Sequence, residues 1–159
     1  MNIFFQDISA IQSRLHNLNT AQGFPAGAVP FFAHEVIDRN DGAVTVWEYI
    51  DLGWVTEFRY SQKIAWAATG DWGAFNGLYD PGWLMSDPDR AFVFVDNHDN
   101  QRGHGGGGDF INYKSGDLYK WATSWMMAFD YGFTRVMSSY EFDDDTDAGP
   151  PHNGDYRYP

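Results

Sequence analysis

Ala91-Phe-Val-Phe-Val-Asp96-Asn97-His98-Asp99-Asn-Gln-Arg-Gly-His104, followed by four consecutive glycines at 105–108, decides how this chain is read. An apolar run that stops abruptly at Asp96, Asn97, His98 and Asp99 predicts a buried parallel strand delivering polar groups at its C-terminal end. That end of a parallel sheet is where α/β enzymes keep their chemistry. The glycines behind it place few limits on the backbone, so they predict a loop able to close over a ligand, with His104 at its edge.

The rest of the chain repeats the theme of strand and helix. Residues 31–37 read as a buried strand ending at Glu35 and Asp38, residues 55–60 alternate as a second, 91–95 form the third and 133–138 the fourth. Ile8, Ile11, Leu15 and Leu18 recur at helical spacing behind a capping Asp7, predicting a helix over 8–18. Leu118, Ala122, Trp125, Met126 and Phe129 form an apolar stripe in a helix capped by Ser115, and its Met and Trp residues belong to the core. Between 61 and 89, Ile64, Trp66, Ala67 and Ala68 suggest a short helix that repeated glycines and Pro81 interrupt. No repeat or linker is visible, and four strands alternating with helices indicate βα units. The acidic residues of 143–147, beside Gly149-Pro-Pro151, read as a solvated loop, since their spacing lacks the Gly and terminal Glu of an EF-hand.

Composition limits the function classes. The formal charge is −12, from 10 basic against 22 acidic residues, so nucleic-acid phosphates would be repelled. A neutral polysaccharide meets no such penalty. Phe, Trp and Tyr make up 18% of the chain, and flat aromatic faces suit sugar rings as well as core packing. The absence of cysteine leaves the redox compartment unread. Residues 1–7 lack the basic start, length and cleavage site of a secretory signal, and no apolar run approaches the roughly 18 residues that span a membrane.

Cleaving a glycosidic bond needs one carboxylic acid to protonate the departing oxygen and a second carboxylate to attack or to stabilise the oxocarbenium-like transition state. Glu35 and Asp99 can supply such groups from strand ends that face the same way, although strand-end carboxylates often do no more than meet solvent or cap the next helix. His98 between two carboxylates can be a metal ligand, a hydrogen-bonding core residue or a substrate contact, with no second His or Cys at ligand spacing to favour metal. His104, at the edge of the glycine loop, can be simply an exposed loop residue. Arg135, expected inside a buried strand, needs a partner there, which can be a neighbouring carboxylate.

The three motifs Glu35-Val-Ile-Asp38, Asp96-Asn-His-Asp-Asn-Gln-Arg-Gly-His104 and Tyr131-Gly-Phe-Thr-Arg-Val-Met-Ser-Ser-Tyr140 resemble, in order, those of the animal-type α-amylases of glycoside hydrolase family 13. Val55-Thr-Glu-Phe-Arg-Tyr60 and Leu15-His-Asn-Leu-Asn19 fit as well, and the poorest match lies between Ala65 and Pro81. The resemblance implies an α/β fold that is part of a (β/α)8 TIM barrel. A complete barrel takes roughly 250 residues, so 159 residues imply its C-terminal half, about four βα units. No Gly-Phe-Arg-x-Asp-Ala motif, which carries the family's nucleophile, precedes Glu35. Residues 1–140 are thus expected to be barrel, and 141–159 an acidic loop rich in Gly and Pro after the last strand.

The resemblance further implies retaining endo-hydrolysis of α-1,4-glucosidic bonds in starch, glycogen and maltooligosaccharides by a secreted protein. Glu35 would be the general acid/base and Asp99 the carboxylate that distorts the sugar and stabilises the transition state, while His98 and His104 would bind sugar hydroxyls. Asn97 and Arg135 would hold a chloride ion near the acid, and an anion beside an acid disfavours its ionised form. A third chloride ligand and the calcium ligands are expected outside this segment. Two other readings stand beside this one: a noncatalytic starch-binding or structural segment, and a metal-dependent hydrolase using Asp96, His98 and Asp99, whose ligand set is incomplete.

Overall fold

A computed structural model describes residues 3–76, 85–104 and 110–140, together with 142 and 149. Its centre is a four-stranded parallel sheet in chain order, β1 (Ala33–His34), β2 (Trp54–Thr56), β3 (Ala91–Val93) and β4 (Phe133–Thr134). Helix α1 (Phe5–Gln12) precedes the sheet, α2 (Phe58–Ala68) links β2 to β3, and α3 (Asp117–Ala128) links β3 to β4. The connection from β1 to β2 carries only two short 3-10 turns, Val46–Glu48 and Ile50–Leu52. The sheet is that of a partial α/β barrel, with four of the eight strands a closed (β/α)8 barrel contains.

Alternation along the strands separates two faces. Tyr60, Ile64, Ala65, Ala91, Val93, Val95, Ala122, Met126 and Tyr131 form the buried core between the sheet and α2 and α3. A smaller cluster of Val36, Val46, Tyr49 and Val55 lies beneath the β1–β2 connection, with Ile8 of α1 against it. The opposite face carries an aromatic group in which Phe133 sits 5.4 Å from Phe31, 5.3 Å from Trp54 and 5.9 Å from Phe92, measured between ring centroids. Among the described residues no helix covers these rings, and Phe31 is 53% exposed.

Several boundaries differ from those expected, each for a local reason. The strand predicted over 55–60 ends at Thr56 because the Glu57 carboxylate accepts from the Arg59 N–H at 3.2 Å and caps α2. Phe58, Arg59 and Tyr60 are all buried, so no two-residue alternation marks where the strand stops. In α3 the residue ahead of the first turn is Gly116, while the Ser115 hydroxyl accepts from Asn112 N in the preceding turn. Leu118 faces solvent, leaving Ala122 and Met126 as the fully buried part of the stripe. Helix α1 ends at Gln12, short of the expected Leu18.

Gly132 sets the approach of β4. Its φ of +75° is a left-handed conformation, and a Cβ there would lie 2.8 Å from both the Ala91 carbonyl oxygen and Val93 Cγ1. Only glycine lets β4 come this close to β3. The acidic residues 143–147 and the glycines 105–108 lie outside the described residues.

Candidate active site

Because the strands are parallel, the chain leaves β1 and β3 at the same edge of the sheet. Glu35 follows β1 directly and is exposed, whereas its neighbour Val36 is buried against Val55. Glu35 therefore shares the parity of Phe31 and Ala33 and belongs to the aromatic face. Asp99 lies beyond β3, in the turn that the apolar run Ala91 to Val95 delivers.

That turn is built by Asn97. Its side-chain oxygen accepts from Asp99 N at 3.0 Å and from Asn100 N at 2.8 Å, while Asn97 N donates to Asn100 Oδ1 at 2.8 Å. With the oxygen committed to the turn, the amide N–H pair of Asn97 is the group able to meet an anion. His98 Nε2 stands 3.5 Å from Asp99 Oδ1, with the histidine side chain 70% exposed and the carboxylate 40%. His104 donates its backbone N–H to the Asp99 carbonyl at 2.9 Å, after Gly103 has turned the chain at φ +80°. The structure thus gathers Asn97, His98, Asp99 and His104 into one loop, with both imidazoles toward solvent.

The loop is fastened from the next connection. The Ser139 hydroxyl donates to Gln101 Oε1 at 2.7 Å, Arg102 donates to the Tyr140 hydroxyl, and the Arg102 guanidinium lies 4.2 Å over the Phe142 ring. None of these contacts is expected from the sequence, in which Asn97, His98, Asp99 and His104 carry the reading of the motif and Gln101 and Arg102 have no assigned role.

Arg135 departs from the expectation of a buried strand residue. Regular pairing of β4 ends at Thr134, although Arg135 N still donates to the Val93 carbonyl at 2.9 Å. Its guanidinium lies 4.9 Å over the Phe133 ring, which puts it on the aromatic face, and the side chain is exposed. The cause is topological: β4 is an outer strand of the described sheet, and among the described residues no helix lies over this face.

Asp96 turns the other way. It is 2% exposed and accepts from the Tyr119 hydroxyl of α3 at 3.0 Å, while its second oxygen is buried with no hydrogen-bond partner among the described residues. Burial pushes its pKa up to about 6, the Tyr119 bond opposing that shift, and burial together with the Asp96 charge pushes Tyr119 up to about 12. Asp96 inside and His98 outside do not converge on one metal position. Among the described residues no group of three or more His, Cys, Asp or Glu side chains could hold a metal ion.

Glu57, the carboxylate directly after β2, is wholly buried. Arg59 grips it twice, Nε to Oε1 and Nη2 to Oε2, each at 2.6 Å, and Ser86 donates to Oε2 from its N–H at 2.8 Å and its hydroxyl at 2.9 Å. Arg59 also reaches Asp38 Oδ2 at 3.5 Å and donates to Asn40 Oδ1 at 3.0 Å. Of the carboxylates after the first three strands, this geometry makes Glu57 structural. Its sequence signal is the arginine two positions on.

These features define a parallel βα segment with exposed carboxylates and imidazoles at the C-terminal edge of its strands. No protein-family model matches the chain. The chain is 45% identical over 152 residues to an α-amylase of Pecten maximus and 45% identical over 159 residues to the pancreatic α-amylase of Sus scrofa. Those alignments cover 94% and 92% of this chain and 30% and 31% of the relatives. Its fold superposes on wild-type α-amylase I of Eisenia fetida with a TM-score of 0.86 at 40% identity, and on a Glu-to-Gln variant of that protein in complex with maltohexaose with 0.87 at 39%. In both cases 96% of this chain and 33% of the solved chain are covered. The chain is homologous to one segment of the animal α-amylases and spans about a third of their length.

Proposed function

We propose that this segment supplies two of the carboxylates of a retaining α-amylase: Glu35 as general acid/base and Asp99 as the group that distorts the sugar and stabilises the oxocarbenium-like transition state. The observation carrying the reading is that two solvent-accessible carboxylates follow parallel strands at one edge of a sheet that superposes on α-amylase I of Eisenia fetida. Glu57, the carboxylate after the strand between them, is consumed by Arg59. Retaining hydrolysis also needs a nucleophile, and that group belongs to a part of the barrel outside this segment. Starch, glycogen and maltooligosaccharides are the substrates. His98 and His104 contribute imidazole donors and acceptors for sugar hydroxyls on the same loop as Asp99, and the protein is secreted.

Asn97 and Arg135 are the chloride ligands of this reading. The donor chemistry fits, since an amide N–H pair and a guanidinium offer an anion donors alone. Chloride bound there would add a fixed negative charge near the acid. For calcium, the described residues offer no cluster of ligands, and the ion would be held by other parts of the barrel.

The test is Glu35→Gln in a complete α-amylase barrel carrying this segment. The amide keeps the shape of the acid but has no proton to give the leaving oxygen, so starch hydrolysis should fall roughly 10²-fold to 10⁴-fold or more. Near-normal turnover by a folded variant would remove Glu35 from the mechanism.

A further inference from the structure

Resting on the assignment of Glu35 as the acid/base, we propose that Thr56 is its positioning residue, aligning the Glu35 carboxyl by holding the backbone that follows it. Paired register between β1 and β2 ends at His34 with Val55. One residue past that point stands Glu35, where a free strand end would let the main chain swing. The Thr56 hydroxyl takes over there. It accepts from Val36 N at 2.8 Å and donates to the Val36 carbonyl at 3.2 Å, so one side chain holds both polar groups of the residue next to Glu35.

The two bonds act on defined torsions. The Val36 N–H lies in the same rigid peptide plane as the Glu35 carbonyl, so fixing it fixes ψ of Glu35. The bond to the Val36 carbonyl fixes the next plane. A second anchor follows at once, because Asp38 accepts from Val46 N at 3.0 Å and from Asn40 N at 2.8 Å and faces Arg59. Val36 itself is buried in the core. The Glu35 side chain, by contrast, is exposed, so its direction follows from the backbone rather than from packing around it. A hydroxyl that both donates and accepts is required; an isosteric valine can do neither.

Four versions of a complete α-amylase barrel carrying this segment decide the matter: unchanged, Thr56→Val, Thr56→Ser and Glu35→Gln. Because misplacing a catalytic group by about 1 Å can cost ~10²-fold, kcat per folded molecule should fall about 10-fold to 100-fold in Thr56→Val. KM should stay within about twofold, since substrate contacts are untouched. Thr56→Ser, which restores the hydroxyl, should recover most of the lost kcat. Should Thr56→Val not yield folded protein, Thr56→Ala removes the same hydroxyl without adding a methyl and is read identically. An unchanged kcat per folded molecule, or a serine variant no better than the valine one, overturns the role of Thr56. Glu35→Gln separates the two ideas: its full activity would overturn the assignment of Glu35, whereas an inactive Glu35→Gln beside a fully active Thr56→Val overturns only the positioning.

Discussion

Arg59 and Glu57, two residues apart at the junction of β2 and α2, meet in a two-pronged ion pair with both side chains out of water, 2% and 0% exposed. The pair also organises its surroundings, because Ser86 and Asp38 attach to it from two other connections.

Arg59→Met keeps the stem of the side chain and deletes its charge, leaving the Glu57 and Asp38 carboxylates buried without their cation. Breaking a buried pair from one side typically costs about 3–5 kcal/mol. Urea unfolding of a complete barrel carrying the substitution should show a loss of that order. A change under about 1 kcal/mol, the scale of an exposed pair, would mean that water reaches the site.

Asp96 gives stability a particular pH dependence. Its folded pKa of about 6 lies above the ordinary value of 3.8, so the folded state holds the proton more tightly than the unfolded chain. The contribution is full below about pH 4 and disappears as pH rises through about 6. Asp96→Asn preserves an acceptor for Tyr119 but cannot ionise. The variant should therefore gain stability over the unchanged protein across that window, by on the order of 2–3 kcal/mol above it. Denaturant midpoints of both proteins from pH 4 to 7 check this; parallel curves would show that Asp96 ionises freely when folded.

Arg135 and chloride are linked by an activity measurement. In a dialysed complete barrel, added chloride should raise the rate of starch hydrolysis, and Arg135→Gln should remove that response while leaving the protein folded. If titrating chloride alters neither rate nor pH optimum, Arg135 has another task, of which its stacking on Phe133 is the visible part.

Residues 1–159 by themselves should be poorly soluble and inactive. Strands β1 and β4 each pair on one side only among the described residues, and Phe31, Trp54, Phe92 and Phe133 form an aromatic face that no described helix covers, with Phe31 exposed and the other three half-buried. Open edges and apolar patches of this kind promote association. Sedimentation should show aggregates, and turnover of a blocked maltooligosaccharide should not exceed that of a Glu35→Gln control. Robust turnover that depends on Glu35 would show the segment sufficient for catalysis.

Abrupt changes of polarity were the legible part of this fold. The apolar run that breaks at Asp96 located β3 and its loop, and the spacing of Ala122 and Met126 located α3, because burial on one side leaves a periodic trace. The start of α2 left none, since Phe58, Arg59 and Tyr60 are buried all round by the sheet, Phe94 and Tyr131. Arg135 misled for a related reason: apolar neighbours suggested enclosure, but enclosure of the aromatic face depends on a layer that these four strands do not provide. Glu57 and Thr56 show a further limit. Beyond Arg59, Glu57 is held by Ser86, 29 residues away, and Thr56 holds Val36, 20 residues away, and no local pattern encodes such contacts.

The order of strands in the sheet is their order in the chain. Each new strand therefore docks on the one synthesised just before it, after closing a loop of only tens of residues, and the entropy of such closures grows slowly with length. Each pairing still joins distant residues, Ala33 with Trp54, Val55 with Ala91 and Phe92 with Phe133, and parallel pairing is slow because the loop must close before the contacts repay it. As the polypeptide emerges from the ribosome, β1 can serve as template for β2 and β2 for β3, so assembly proceeds by accretion at a single growing edge.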